Sequence, residues 1–300
     1  MKSEGRLINA SAIERRRRSG STAVLIGIAI IVGLLLYCVA MYPASTRFDG
    51  ARNAAIIVVA LAMFTAIALW MRGQHDEPVR IAMDLGARVG TALVVVEVLN
   101  LAIEHLVGST TVSLVRGVVS WGAMFLAFGA AGSAAMFASE DRAPVSLAWS
   151  ILASVWCGII AAVGGVLAGV ALPVFFMSGM VRILDPNGGA ADAPAYVVRH
   201  TLGAAAQHLL FVPVLAAIFG AIGGIAGRVL RSISRRAAWS LAGVECALGI
   251  AGVSALVWAS TLPRSERPPF VRSGLVSFGV ALACAYPVLR AIRGASGYRR

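Results

Sequence analysis

The sequence predicts an all-α polytopic membrane protein, a bundle of about eight transmembrane helices. Hydrophobic residues make up 59% of the 300 residues and charged residues only 13%. Several uncharged apolar runs reach the roughly 20 residues that a helix needs to cross a bilayer. No stretch between these runs approaches the ~50 residues that a soluble domain with its own core requires. Any activity is therefore expected in the spans and their short connections.

The charged residues divide the chain into a membrane domain and two short tails. Residues 1–20 form a polar N-terminal tail, residues 21–292 the transmembrane helical domain and residues 293–300 a basic C-terminal tail. The N-terminal tail ends in four consecutive arginines, residues 15–18, directly before the first apolar run. Arginines beside a span favour the cytoplasmic side and contact anionic lipid headgroups. With eight spans, both tails are expected in the cytoplasm.

Arginine is used almost to the exclusion of lysine, since Lys2 is the only lysine. This usage is typical of a GC-rich bacterial genome, and together with the topology it predicts a protein of the bacterial cytoplasmic (inner) membrane. The net charge of +12 arises from arginines that flank the spans, so nucleic-acid binding is not expected.

The spans follow the apolar runs in order. They are predicted at residues 22–42, 54–71, 88–107, 117–138, 146–170, 200–227, 239–262 and 273–292. The fifth run extends to Val181, and as one helix its uncharged length of roughly 54 Å would exceed a ~30 Å hydrocarbon core. Pro173 is expected to break this helix and leave an interfacial or re-entrant tail.

The third span is the only one that carries several ionisable groups. Glu97, Asn100 and Glu104 fall at offsets of 0, 3 and 7 residues, so they share one stripe of the helix, and His105 adjoins them. A carboxylate at bilayer depth costs roughly 2.5 to 3.5 kcal/mol on insertion scales. The stripe must therefore face protein or water, which makes this helix central to the bundle.

The sixth span carries a second polar face. His200, Gln207 and His208 fall at offsets of 0, 7 and 8 residues, and their depths match those of the polar stripe in span three. The two faces are expected to meet, either as a structural hydrogen-bond network or as a path for protons or cations. Glu245, in span seven, either extends this path inward or pairs with an arginine.

Small residues recur at four-residue spacing in two spans. Gly165 and Gly169 lie in span five, and Gly220 and Gly224 lie in span six. Such pairs allow two helix backbones to approach closely. They are expected to pack spans five and six against each other, with homodimerisation as the alternative.

Local signatures of the common enzyme classes do not occur in the chain. A phosphate-binding loop is impossible without a lysine beyond Lys2, and neither H-E-x-x-H nor G-x-S-x-G is present. The four cysteines stand in separate apolar runs, with no C-x-x-C pair; they are Cys38, Cys157, Cys246 and Cys284. We therefore expect no metal site, no cofactor and, on balance, no enzyme activity.

Three functions fit these observations. The leading hypothesis is a small permease or transporter whose intramembrane polar groups couple solute movement to protons. The alternative is a non-catalytic accessory or assembly subunit that binds another membrane protein or a second copy through its glycine-rich faces. An intramembrane lipid-modifying enzyme carries the least weight. A permease should contain a polar cavity lined by spans three and six, whereas a scaffold should be packed shut.

Overall fold

A computed structural model describes the backbone of residues 2–47, 49–74, 76–107, 110–138, 147–185, 187–230, 235–261 and 267–297. Side chains are described for these residues apart from 2–19, 102–107, 110–118, 138, 235–236, 259–261, 267–270, 272–273 and 293–297.

The described backbone forms nine α-helices and contains no strand. The helices are α1 (Lys2–Met41), α2 (Asp49–Gly73), α3 (Glu77–Val107), α4 (Thr110–Ala138), α5 (Leu147–Phe175), α6 (Met177–Leu184), α7 (Ala193–Leu230), α8 (Arg235–Thr261) and α9 (Arg267–Gly297). The predicted all-α class is confirmed. Because α1 begins at Lys2 and α9 ends at Gly297, most of both predicted tails has a helical backbone.

Among the described residues, seven helices are long and apolar enough to cross a membrane: α1, α2, α4, α5, α7, α8 and α9. The protein is therefore a multi-pass membrane protein. The predicted third span lies in α3, whose described part does not reach the same apolar length. Side chains 102–107 of the predicted span lie outside the described part, so a crossing by α3 stays a prediction.

The fifth apolar run is broken, as Pro173 predicts, although the break comes slightly later. Pro173 lies inside α5, which continues for two more residues to Phe175. Phe176 then leaves helical geometry, with φ −134° and ψ 35°, and the eight-residue helix α6 follows. Proline weakens the turn before it because it has no N–H to donate and its ring crowds the preceding carbonyls.

The start of α7 is set by local capping. The Asp192 carboxylate accepts a hydrogen bond of 3.0 Å from the Ala195 N–H, and Pro194 occupies the first turn, where its missing N–H costs nothing. The helix therefore begins at Ala193, seven residues before the predicted span. Before it, the Asp185 carboxylate accepts hydrogen bonds from the N–H groups of Gly189 and Ala190, at 2.8 and 3.1 Å.

The chain divides into two compact units, and α3, α5 and α7 contribute residues to both. The first unit comprises Met1–His75, Val94–Gly108 and Ile159–Pro213. Within it, α1 packs on α2. Its core is formed by buried apolar side chains of α1, α2, α5 and α7, among them Ile31, Ile57, Phe64, Val170, Leu202 and Leu209.

The second unit comprises Asp76–Leu93, Ser109–Gly158 and Val214–Arg300. Helix α9 packs against both α4 and α8, and the rings of Phe125 and Phe219 pack at an angle of 41° with their centroids 4.3 Å apart. The hydroxyl of Ser154 in α5 donates a 2.8 Å hydrogen bond to the backbone carbonyl of Phe128 in α4. Arg88 and Asp84, four residues apart on α3, form an ion pair in which Asp84 is buried.

Candidate functional site

The first unit contains a partly open cavity of about 290 Å³. Its walls come from α3, α5, α6 and α7. The lining residues are Glu97, Leu101, Gly165, Val166, Gly169, Val170, Leu172, Met180, Ile183, Leu184, His200, Thr201, Ala204, Ala205 and His208. We call this space the α3–α7 cavity. Its lining is mostly apolar, with one acidic side chain, two imidazoles and one hydroxyl.

Glu97 is the acidic group of the α3–α7 cavity. It is only 7% exposed, although Val98 and Leu99, the next residues of α3, are 41% and 56% exposed. The helical period thus turns Glu97 inward and leaves the neighbouring Val98 and Leu99 on the outer surface. Glu97 therefore offers a carboxyl group to the cavity from the α3 side.

His208 is the deeper of the two histidines. Its Nε2 atom is buried and has no hydrogen-bond partner among the described residues. A buried imidazole nitrogen without a partner is costly, because it has lost water and gained no replacement. His208 is therefore poised to accept or donate a hydrogen bond to a molecule inside the cavity.

Gly165 makes room for this imidazole. A β-carbon at Gly165 would lie 2.8 Å from Nε2 of His208, which is closer than carbon and nitrogen can approach without a bond. Both residues line the α3–α7 cavity. The absence of a side chain on α5 therefore allows α7 to place His208 here.

His200 and Thr201 line the part of the cavity nearer the start of α7. His200 is eight residues before His208, roughly 12 Å along the helix axis, and is more exposed. The Thr201 hydroxyl donates a 3.0 Å hydrogen bond to the Val197 carbonyl. Its oxygen still has acceptor capacity for a ligand. Two imidazoles at two depths on one helix are thus available to the same space.

Helix α6 supplies an apolar wall. Met180, Ile183 and Leu184 line the α3–α7 cavity, and none of the eight residues of α6 is fully buried. The sequence predicts an interfacial or re-entrant tail in this region. The structure shows a short helix that covers one side of the cavity.

The remaining predicted polar residues do not all reach this space. Asn100 is half-buried and Gln207 is exposed, and neither is a lining residue. The side chains of Glu104 and His105 lie outside the described part. Glu245 belongs to the second unit and lines a different groove there. The residues that the cavity does bring together are Glu97, His200 and His208.

Thr201 and Met180 are among the lining residues that the sequence did not predict. Thr201 follows His200 directly and was not distinguished from an ordinary helix residue, and Met180 lies in a run interpreted only as apolar. The signal that could have found Thr201 is its spacing of seven residues before His208, which places both on one face of α7.

The two glycine pairs differ in their surroundings. Gly165 and Gly169 line the cavity, and a β-carbon at Gly169 would meet no described atom within 4 Å. At Gly169 the expected close packing against another described helix is therefore not seen. In α7, β-carbons at Gly220 and Gly224 would collide with Ser154 and Ser150 of α5. That contact, within the second unit, brings α7 close to α5 through serines of α5 rather than through Gly165 and Gly169.

The chemistry available in the α3–α7 cavity is proton exchange and hydrogen bonding. A carboxyl and an imidazole both change charge by gaining or losing one proton, and no arginine or lysine among the described side chains lines the space. Among residues with described side chains, no three of His, Cys, Asp and Glu come together as metal ligands. Comparison with protein-family models, with curated proteins and with solved structures finds no match to this chain.

Proposed function

We propose that this protein is a small permease that couples the movement of a solute to protons. The observation that carries the proposal is that Glu97 and His208, on two different helices, line one cavity in the first unit. Ionisable residues at membrane depth are costly and commonly mark substrate or proton pathways.

The volume of the α3–α7 cavity favours a small solute as the substrate. Ligand sites of proteins typically measure about 300 to 1,000 Å³ and are mostly apolar, with a few polar groups that fix orientation. The α3–α7 cavity, at about 290 Å³, lies close to the lower limit of that range. Its substrate is thus a compact molecule with an apolar part and at least one hydrogen-bonding group.

The coupling of solute movement to protons follows from the ionisable groups of the α3–α7 cavity. Glu97 and His208 can each carry or release a proton, so the net charge of the cavity changes with proton occupancy. A solute bound beside them alters the cost of that charge, and by linkage the proton alters solute affinity by the same factor. This reciprocity is the thermodynamic basis of symport or antiport.

The setting we propose is the bacterial cytoplasmic membrane, with both termini in the cytoplasm. Arginines flank the apolar spans and are concentrated in the segments that this topology places inside. The expected partners are anionic lipid headgroups. Partner binding through the glycines of α7 is not supported, because Gly220 and Gly224 already face Ser154 and Ser150.

The proposal is tested by transport in proteoliposomes that contain a pH-sensitive dye. A panel of amino acids, small amines and monocarboxylates is added outside, and the internal pH is followed. We expect at least one class to move protons with the wild-type protein. His208→Ala should abolish the signal, because it removes the imidazole that faces the cavity.

Gln207→Ala is the matched control. Gln207 precedes His208 on α7 but is exposed and does not line the cavity, so this variant should transport like the wild type. If no solute moves protons with the wild-type protein, the permease proposal is wrong and an accessory subunit becomes the better hypothesis. Equal loss of transport in Gln207→Ala and His208→Ala would exclude a specific role for the cavity.

A further inference from the structure

A second space, unrelated to the α3–α7 cavity, lies in the second unit between α7, α8 and α9. This groove has a volume of about 390 Å³. Its lining is apolar apart from two residues, Glu245 of α8 and Cys284 of α9. Ile225, Val244 and Val280, one from each helix, are representative of the apolar walls. We call it the α8 groove.

The carboxyl group of Glu245 is not fully satisfied by the part of the chain that the structure describes. Its Oε1 atom is buried and has no hydrogen-bond partner among the described residues. Glu245 lies eight residues into the apolar segment Ala237–Trp258 of α8, roughly 12 Å along the helix axis from its start. An acidic oxygen at that depth has no water to replace the missing bond. A hydrogen-bond donor from outside the chain would remove this cost.

The depth and size of the α8 groove limit which molecules could donate a hydrogen bond to Glu245. Lipid headgroups stay at the interface, and acyl chains that reach this depth carry no donor. A whole transmembrane helix, about 10 Å across, is too large for a groove of about 390 Å³. A small molecule with an apolar body fits, because pockets of this volume with apolar walls and one charged group are typical ligand sites.

We propose that the α8 groove binds a lipophilic amine. The apolar body would pack against the walls from α7, α8 and α9, and the protonated nitrogen would donate a hydrogen bond to Oε1 of Glu245. A charge-assisted bond of this kind is stronger than a neutral one. Only 6% of the apolar segment of α8 is buried, so a ligand dissolved in the bilayer can reach the groove from the side.

The proposal does not depend on the proposed function. All lining residues of the α8 groove belong to the second unit, whereas those of the α3–α7 cavity belong to the first. Failure of amine binding would therefore leave the permease proposal intact, and failure of transport would leave this one intact.

The test uses a fluorescent probe made of a dansyl group on an octyl chain that ends in a primary amine. Its N-acetylated form has nearly the same apolar body but no charge. Binding is measured by fluorescence titration of the full-length protein in lipid nanodiscs, with empty nanodiscs subtracted. We expect the amine to bind the wild type at least about tenfold more tightly than the acetylated form, because only the amine can pair with Glu245.

Two variants locate the site. Glu245→Gln keeps the shape of the side chain and removes the charge, so the preference for the amine should disappear. Ala226→Phe fills the groove from α7 and should weaken both probes. Cys246→Ala is the matched control, since Cys246 adjoins Glu245 but is exposed and does not line the groove. Each variant must elute as a single species before it is titrated.

Three outcomes would overturn the proposal. The first is equal binding of the two probes to the wild type, which would indicate apolar partition alone. The second is an amine affinity that neither Glu245→Gln nor Ala226→Phe changes. The third is Glu245-dependent binding of a synthetic polyleucine helix with one central lysine, without amine binding. That result would assign the groove to a partner protein.

Discussion

The imidazole of His208 occupies the space that a side chain on Gly165 would need. A β-carbon at Gly165 would lie 2.8 Å from Nε2 of His208, and both residues line the α3–α7 cavity. The absence of a side chain at Gly165 of α5 thus allows His208 of α7 to occupy the position that the proposed proton coupling requires. The consequence can be tested directly.

Gly165→Ala should displace the His208 ring and lower solute-driven proton movement about tenfold, equivalent to ~1.4 kcal/mol. The measurement is the initial rate of internal pH change in proteoliposomes. Gly33→Ala in α1 is the control, because a β-carbon there meets no described atom within 4 Å. Unchanged transport in Gly165→Ala would show that the position of His208 is not critical.

Glu97→Gln should fold and insert normally but lose proton-linked transport. Glutamine keeps the shape of the side chain and most of its hydrogen bonds, while it cannot gain or lose a proton. Transport in proteoliposomes and elution from a sizing column are the two measurements. A fully active Glu97→Gln, together with a Glu97→Leu that is merely unstable, would indicate that the polar stripe of α3 only holds helices together.

Gly224→Leu should destabilise the second unit by about 1 to 3 kcal/mol, the usual cost of overpacking. A β-carbon at Gly224 would lie 2.6 Å from both Cβ and Oγ of Ser150, so leucine cannot be accommodated without separating α7 from α5. Thermal unfolding in detergent measures the effect. Gly243→Leu in α8, where a β-carbon meets no described atom within 4 Å, should unfold close to the wild-type temperature.

Topology gives an independent prediction. A reporter that is active only outside the cytoplasm should be active when fused after Ala191, in the connection before α7. The same reporter should be silent when fused after Arg235, at the start of α8. The opposite pair of results would mean that the segment from α5 to α6 crosses the membrane twice.

Much of the fold could be predicted from the sequence, because apolar length and arginine placement are properties of each segment alone. The broken fifth run followed from Pro173, which cannot donate a backbone hydrogen bond. Helix α7 begins seven residues before the predicted span 200–227, because Asp192 and Pro194 form a helix start that a search for apolar runs does not detect.

The candidate site was predicted only in part. Helical spacing placed Glu97 with Asn100, and His200 with Gln207 and His208, on shared faces of α3 and α7. A face is about 100° wide, however, and a cavity wall is narrower. In the structure, the α3–α7 cavity is lined by Glu97, His200 and His208. Asn100 and Gln207 do not line it.

The sequence by itself determined that this is an all-α membrane protein and that polar groups interrupt its apolar helices, because burial in lipid depends on composition and length. Only the tertiary structure decided which of those groups share a cavity. In the tertiary structure, Gly165 and Gly169 line that cavity, whereas Gly220 and Gly224 lie at a contact between two helices. Glu245 lies in a separate groove. The reason is physical: a helix fixes the direction of each side chain about its own axis, whereas the neighbour that each side chain meets depends on how the helices pack.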